Sequence, residues 1–287
     1  MISSQPEKPI KQRDWRWPAT ANFIIGGTGV GLYLFNFINA FMMFDSVFLS
    51  KSLPFGLIPP ILIGIGFLFL GIEAGRPLRG CYLFLHPGQS WITREVIACC
   101  IFIPTALCDY FFPHPVLKLL ATISALGFLI SQGFIIYRAR AITAWNVPII
   151  PLFFGSSGLT SGYGLFLILM APDVTRSDQA MLFLGLIFLL FNLSVWLVYL
   201  WHSRSAELSF VTTTLRQTFS LTLTIGFGQI IPLVLLLFLI AQKNTMAPLS
   251  LSLIISLCGI LLLIGNISQK IGIIIFAGYF RTLRLSS

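Results

Sequence analysis

Two glutamates, Glu73 and Glu95, close the ends of one arginine-bearing stretch, GIEAGRPLRGCYLFLHPGQSWITRE (residues 71–95). The chain around them is 56% hydrophobic and only 9% charged. A carboxylate held at membrane depth is costly, so its presence there points to function. The chemistry that suits such a pair is proton exchange with a ligand at the edge of a bilayer. Arg76, Arg79 and Arg94 lie in the same stretch. The alternative is that both acids snorkel to the interface and pair with those arginines. Asp109 stands apart, 14 residues beyond Glu95, or about 21 Å along a helix. That places it toward the opposite face.

Other residues could complete a site at the same edge. Asn22 falls on the first turns of the first apolar segment, level with Glu73 and Glu95. Tyr137, Arg138, Arg140 and Trp145, from YRARAITAWNVPIIP (residues 137–151), could frame a ligand entrance. Tyr and Trp also belong in an interfacial belt for ordinary reasons. Asn39, Gln132, Asn192, Gln229 and Asn266 are expected for the most part to hydrogen-bond between helices.

Several chemistries are disfavoured. A di-haem bundle needs four axial histidines on facing helices. This chain has three, His86 in a loop, His114 in a hairpin on the other side and His202 at a helix end. Metal binding fails for the same reason. The five cysteines (Cys81, Cys99, Cys100, Cys108, Cys258) form no CxxC pair and read as small buried hydrophobes. The run GGTGVG (residues 26–31) has the glycines of a dinucleotide loop, but it lies inside an apolar helix with no strand before it. Its small residues suit close helix approach.

The elements that position these residues are membrane helices. Mean hydropathy is +0.92 over 287 residues, outside the range of soluble domains. Charge-free runs such as 52–72 and 179–201 are long enough to cross a hydrocarbon core of about 30 Å. The sequence predicts an all-α integral membrane protein with eight spans, at 18–40, 54–75, 92–112, 115–137, 147–171, 179–201, 219–241 and 248–267. They are grouped as a polar N-terminal segment (1–17), a first four-helix bundle (18–137), a second (147–267) and a C-terminal tail (268–287). Residues 268–280 are expected either to extend the eighth helix or to lie in the interface. The polar start followed by a full-length span predicts no cleavable leader.

Fourteen of the 18 Lys and Arg residues fall on one side of this arrangement. The positive-inside rule then places both termini in the cytoplasm. The same basic face could dock an acidic partner. The charge is spread over short loops, which argues against nucleic-acid binding.

An internal repeat is visible. IIGGTGVGLYLF (residues 24–35) matches FFGSSGLTSGYGLFL (residues 153–167), and Thr93-Arg94-Glu95 matches Leu215-Arg216-Gln217. Two parallel repeats of four helices follow, with the acid retained only in the first.

On four features the chain resembles the NrfD/PsrC-type membrane subunits, and more closely the DmsC-like anchors of molybdopterin oxidoreductases. These are ANFIIGGTGVGL, EAGRPLR followed by WITRE, YRARAITAWNVPIIP, and the eight-span plan. It is also similar to the anchor-like subunits of phenylacetyl-CoA:acceptor oxidoreductases. The resemblance covers most of the chain. It implies two four-helix bundles and a haem-free site for menaquinone or ubiquinone. It also implies a ferredoxin-like subunit with [4Fe-4S] clusters docked on one face, a molybdopterin catalytic subunit beyond it, and a bacterial or archaeal cytoplasmic membrane. DMSO-reductase anchors carry a histidine before the G-x-P-x-R turn, where this chain has Glu73. The family's C-terminal basic position is met by Lys270.

These readings combine as a quinone-reactive anchor. Glu73 and Glu95 exchange protons, and Asn22, Arg76, Arg94, Tyr137 and Trp145 line the quinone. The rival is a secondary transporter built from parallel repeats. It fits in-membrane carboxylates, but both glutamates lie at one edge and the midplane shows few charges or broken helices.

Overall fold

A computed structural model describes residues 10–13, 15, 17–42, 53–73, 88, 90–172, 179–205, 208–242, 245 and 247–280. Eight helices within it are long and apolar enough to cross a membrane. They are α1 (Trp17–Met42), α2 (Leu53–Glu73), α3 (Trp91–Phe111), α4 (Pro115–Arg138), α5 (Ile150–Met170) and α6 (Gln179–His202), followed by α7 (Thr218–Gln242) and α8 (Pro248–Phe276). The all-α membrane architecture expected from hydropathy is therefore present.

Local chemistry sets the helix starts. Pro115, Pro151 and Pro248 stand in the first turns of α4, α5 and α8, and Pro18 in that of α1. Proline is tolerated there because its missing N–H has no intrahelical acceptor to lose. Ser90 caps α3 by accepting from Thr93 N. Between α3 and α4 the chain turns on Asp109, whose Oδ1 accepts from His114 N at 3.1 Å. His114 in turn accepts from Val116 N. Asp109 thus serves the tight hairpin at the far edge from Glu95.

The helices pack as two bundles. α1 lies on α2 and α4, and α3 on α4; α5 lies on α6 and α8, and α7 on α8. The bundles meet mainly where α1 crosses α5. Backbones almost touch there, because a Cβ on Gly31 would overlap Gly158 O and one on Gly162 would overlap Gly31. Apolar interiors fill the rest. Phe102, Phe128, Val30 and Leu34 pack in the first bundle, and Phe166, Leu182, Leu236 and Leu262 in the second. Outward faces stay apolar, as the exposed row Val116, Leu119, Ile123, Leu126 and Ile130 of α4 shows. That row is the face a lipid-exposed helix presents.

Three features go beyond the sequence expectations, settle an alternative they left open, or correct them. α7 contains a wide π-type stretch over Thr222–Ile230, and α8 continues past residue 267 into a second one at Gly272–Phe276. The eighth helix is therefore extended by this stretch. The third concerns the repeat. Gln217 is exposed in extended backbone ahead of α7, so it does not correspond to buried Glu95. The prolines supply the better alignment, since Pro18 stands to Pro151 as Pro115 stands to Pro248, at one sequence offset. At that offset Asn22, Glu95 and Gln132 correspond to Gly155, Gly228 and Gly265.

Beyond the helices, three segments meet at one rim. Gln12 N donates to Gly278 O and Phe280 N to Ile10 O, both at 2.9 Å. Thr143 N donates to Tyr279 O at 3.4 Å.

Candidate functional site

Glu95 lies one turn into α3 and is 1% exposed. Its Oε1 accepts from Asn22 Nδ2 of α1 at 3.1 Å and from Gln132 Nε2 of α4 at 3.2 Å. Gln132 Nε2 also reaches Asn22 O at 3.3 Å. Three helices of the first bundle thus converge on one carboxylate. A carboxylate accepts only, so both amides must turn their N–H₂ groups toward it. Their oxygens then face elsewhere, and Asn22 Oδ1 and Gln132 Oε1 are buried without a hydrogen-bond partner.

Glycines make room for these oxygens. A Cβ on Gly66 of α2 would lie 2.8 Å from Asn22 Oδ1. A Cβ on Gly27 would lie 3.0 Å from Gln132 Oε1 and 2.9 Å from Lys270 Nζ. The glycine-rich run of α1 therefore serves two ends. Gly31 brings the helices together, and Gly27 clears space for polar groups.

Lys270 comes from α8 and is 1% exposed. Its Nζ donates to Phe23 O of α1 at 3.0 Å. Sequence reasoning noted Lys270 as a family position and as one of the basic residues of one side, and missed that it reaches this cluster. A lone lysine within an otherwise charge-free helix was the signal that pointed to it.

The remaining site candidates lie in different places. Trp145 is fully buried, with its Nε1 donating to Ile273 O at 2.9 Å. Tyr199 fixes the same turn by donating to Ala144 O at 3.1 Å. Trp145 thus braces the rim where residues 10–12 and 278–280 meet the 139–147 turn. Tyr137 is half-buried near the end of α4, with its ring 6.2 Å from that of Phe134. Arg94 stacks over the Trp91 ring at 4.1 Å and donates to Gly88 O at 2.9 Å. It braces the start of α3. Glu73 ends α2, but its side chain, and Arg76 and Arg79, lie outside the described residues. No group of three or more His, Cys, Asp or Glu that could hold a metal ion is present among the described residues.

The second bundle has polar groups of its own. Ser156 donates to Asn192 at 3.0 Å and Asn192 to Asn266 at 2.9 Å. Where the first bundle places Glu95 against Gln132, the second brings Gly228 and Gly265 into direct backbone contact. The acid-centred arrangement belongs to the first bundle.

A family model for the DMSO reductase anchor subunit (DmsC) matches residues 14–279. The chain belongs to that family. It is also similar to the C subunit of polysulfide reductase from Wolinella succinogenes, at 25% identity over 266 residues, covering 77% of this chain and 82% of that protein. This DmsC-family protein is a multi-pass membrane anchor subunit. The resemblance to DmsC-like anchors, drawn from ANFIIGGTGVGL, EAGRPLR followed by WITRE, YRARAITAWNVPIIP and the eight-span plan, is borne out. The DmsC match spans both bundles, so Glu95 and Lys270 fall inside it.

Proposed function

We propose that this anchor is quinone-reactive and passes electrons between menaquinone or ubiquinone and an iron–sulfur subunit of its complex. That partner would be ferredoxin-like, carry [4Fe-4S] clusters and serve a molybdenum or tungsten catalytic subunit. Membership of the DMSO reductase anchor family supports the reading. The observation that carries it is Glu95, fully buried and held by amides from two other helices.

The donor set suits a quinol. Bound there, a quinol supplies the electrons and the protons. Glu95 takes a proton, and the Asn22 and Gln132 amides hold its carboxylate in one orientation. Asn22 Oδ1, a buried acceptor without a partner beside Gly66, is the group we propose for a ligand hydroxyl. Glu73, Arg76, Arg94, Tyr137 and Trp145 stay candidates for the route between this cluster and the basic rim. Trp145 would act through packing, because its N–H is already engaged. The membrane would be a bacterial or archaeal cytoplasmic membrane, with the basic rim and both termini on the cytoplasmic side.

Glu95→Gln keeps the shape and removes the proton acceptor. Quinol-linked turnover of the purified complex should fall about a hundredfold, with complex assembly retained. Undiminished quinol oxidation would remove Glu95 from the chemistry.

A further inference from the structure

Lys270 raises a problem that the first bundle alone does not solve. It grows from α8, which packs on α5 and α7, yet its ammonium ends on α1 with Phe23 O as its hydrogen-bond acceptor. A buried ammonium satisfied by one carbonyl is a costly arrangement unless an opposite charge stands near. Gln132 is the side chain that approaches both this lysine and the acid. Its Nε2 donates to Glu95. Its Oε1 shares with Lys270 Nζ the space that a Gly27 side chain would fill. The amide thus turns its N–H₂ to the carboxylate, while its unpartnered oxygen and the ammonium lie 3.0 and 2.9 Å from the same point beside Gly27. That arrangement stabilises both charges.

From this geometry we propose that Lys270 is the counter-charge of Glu95, coupled to it through the Gln132 amide across the boundary between the two bundles. The site is then an acid–amide–lysine array assembled from α1, α3, α4 and α8. It has no net charge when both ends are ionised. The second bundle supplies the cation, although at the repeat's offset it carries Gly228 in place of the acid. The proposal rests on the quinone reading and deepens it, by naming the group that balances charge when Glu95 gains or loses a proton.

The test is a double-mutant cycle on the complete complex in detergent, without any quinone added. Glu95→Gln and Lys270→Met each leave one buried charge uncompensated. Each should lower the thermal midpoint of the anchor by about 5 °C or more, and the double variant should recover at least half of that loss. Additive losses, or single variants that unfold no earlier than the parent, would overturn the pairing. Should a single variant fail to accumulate at all, recovery of membrane-inserted protein in the double variant gives the same answer. Quinol turnover of the same preparations reports separately on the proposed function. Coupling with unchanged turnover would leave the charge pair standing and sink the quinone role.

Discussion

At the scale of single residues, the site depends on where oxygen and nitrogen atoms point. Glu95 dictates both amides around it, and Gly27 lets Gln132 Oε1 and Lys270 Nζ share one space. Gly27→Ala therefore probes that space alone. The added methyl meets two side-chain tips, Lys270 Nζ at 2.9 Å and Gln132 Oε1 at 3.0 Å, rather than backbone, so the fold should lose about 1–3 kcal/mol. Quinol-linked turnover should fall about tenfold or more, and steady-state kinetics with a midpoint measurement separates the two effects. Part of this cluster was legible in the sequence. Glu95 and Asn22 stand out as polar groups in apolar helices at one depth, and depth can be counted along a span. Lys270 could not be placed, because no periodicity within a helix says which distant helix a long side chain will reach. The role of Trp145 was hidden for a related reason. An interfacial tryptophan and a packed one have the same sequence signature, and only the Nε1 partner distinguishes them.

At the scale of helices, hydropathy recovered all eight spans because length and apolar content suffice to define a crossing. It was silent on the π-type stretches of α7 and α8. Close crossing of α1 and α5 was foreshadowed by their glycine- and serine-rich faces. Gly31 faces backbone, and backbone cannot move aside as a lysine tip can. Gly31→Leu should therefore force the bundles apart and cost about 3 kcal/mol or more. A sharp drop in detergent-stable anchor on size-exclusion chromatography would register this, and a normal yield would contradict the crossing. The contrast between Gly27 and Gly31, on one helix, tests whether α1 has separate polar and packing duties.

At the scale of the whole molecule, the fold is a repeat whose halves have diverged. The prolines at helix starts preserve the alignment, while the polar triad of one half is three glycines in the other. Comparing apolar motifs alone pairs Glu95 with Gln217, because local similarity in lipid-facing sequence is cheap and does not report depth. The same offset pairs Tyr137 with Lys270, so the cation that crosses between halves has a neutral counterpart. Charge distribution is the other whole-molecule signal. With 14 of 18 basic residues assigned to one side by the sequence, one of which (Lys270) is buried in α8, reporters fused to either terminus should be active only when the reporter functions in the cytoplasm. Activity of a periplasm-dependent reporter at either end would invert the assignment.

The meeting of residues 10–12 with residues 278–280 has a consequence for biosynthesis. During translation the first helices reach the lipid well before α8 leaves the ribosome. The opening segment has to wait for the last hydrophobic segment before its hydrogen bonds can form, and Glu95 waits equally long for its cation. A nascent polypeptide stalled before α8 would hold an unbalanced acid and a loose amino-terminal arm. Premature products of this kind are natural substrates for membrane quality-control proteases.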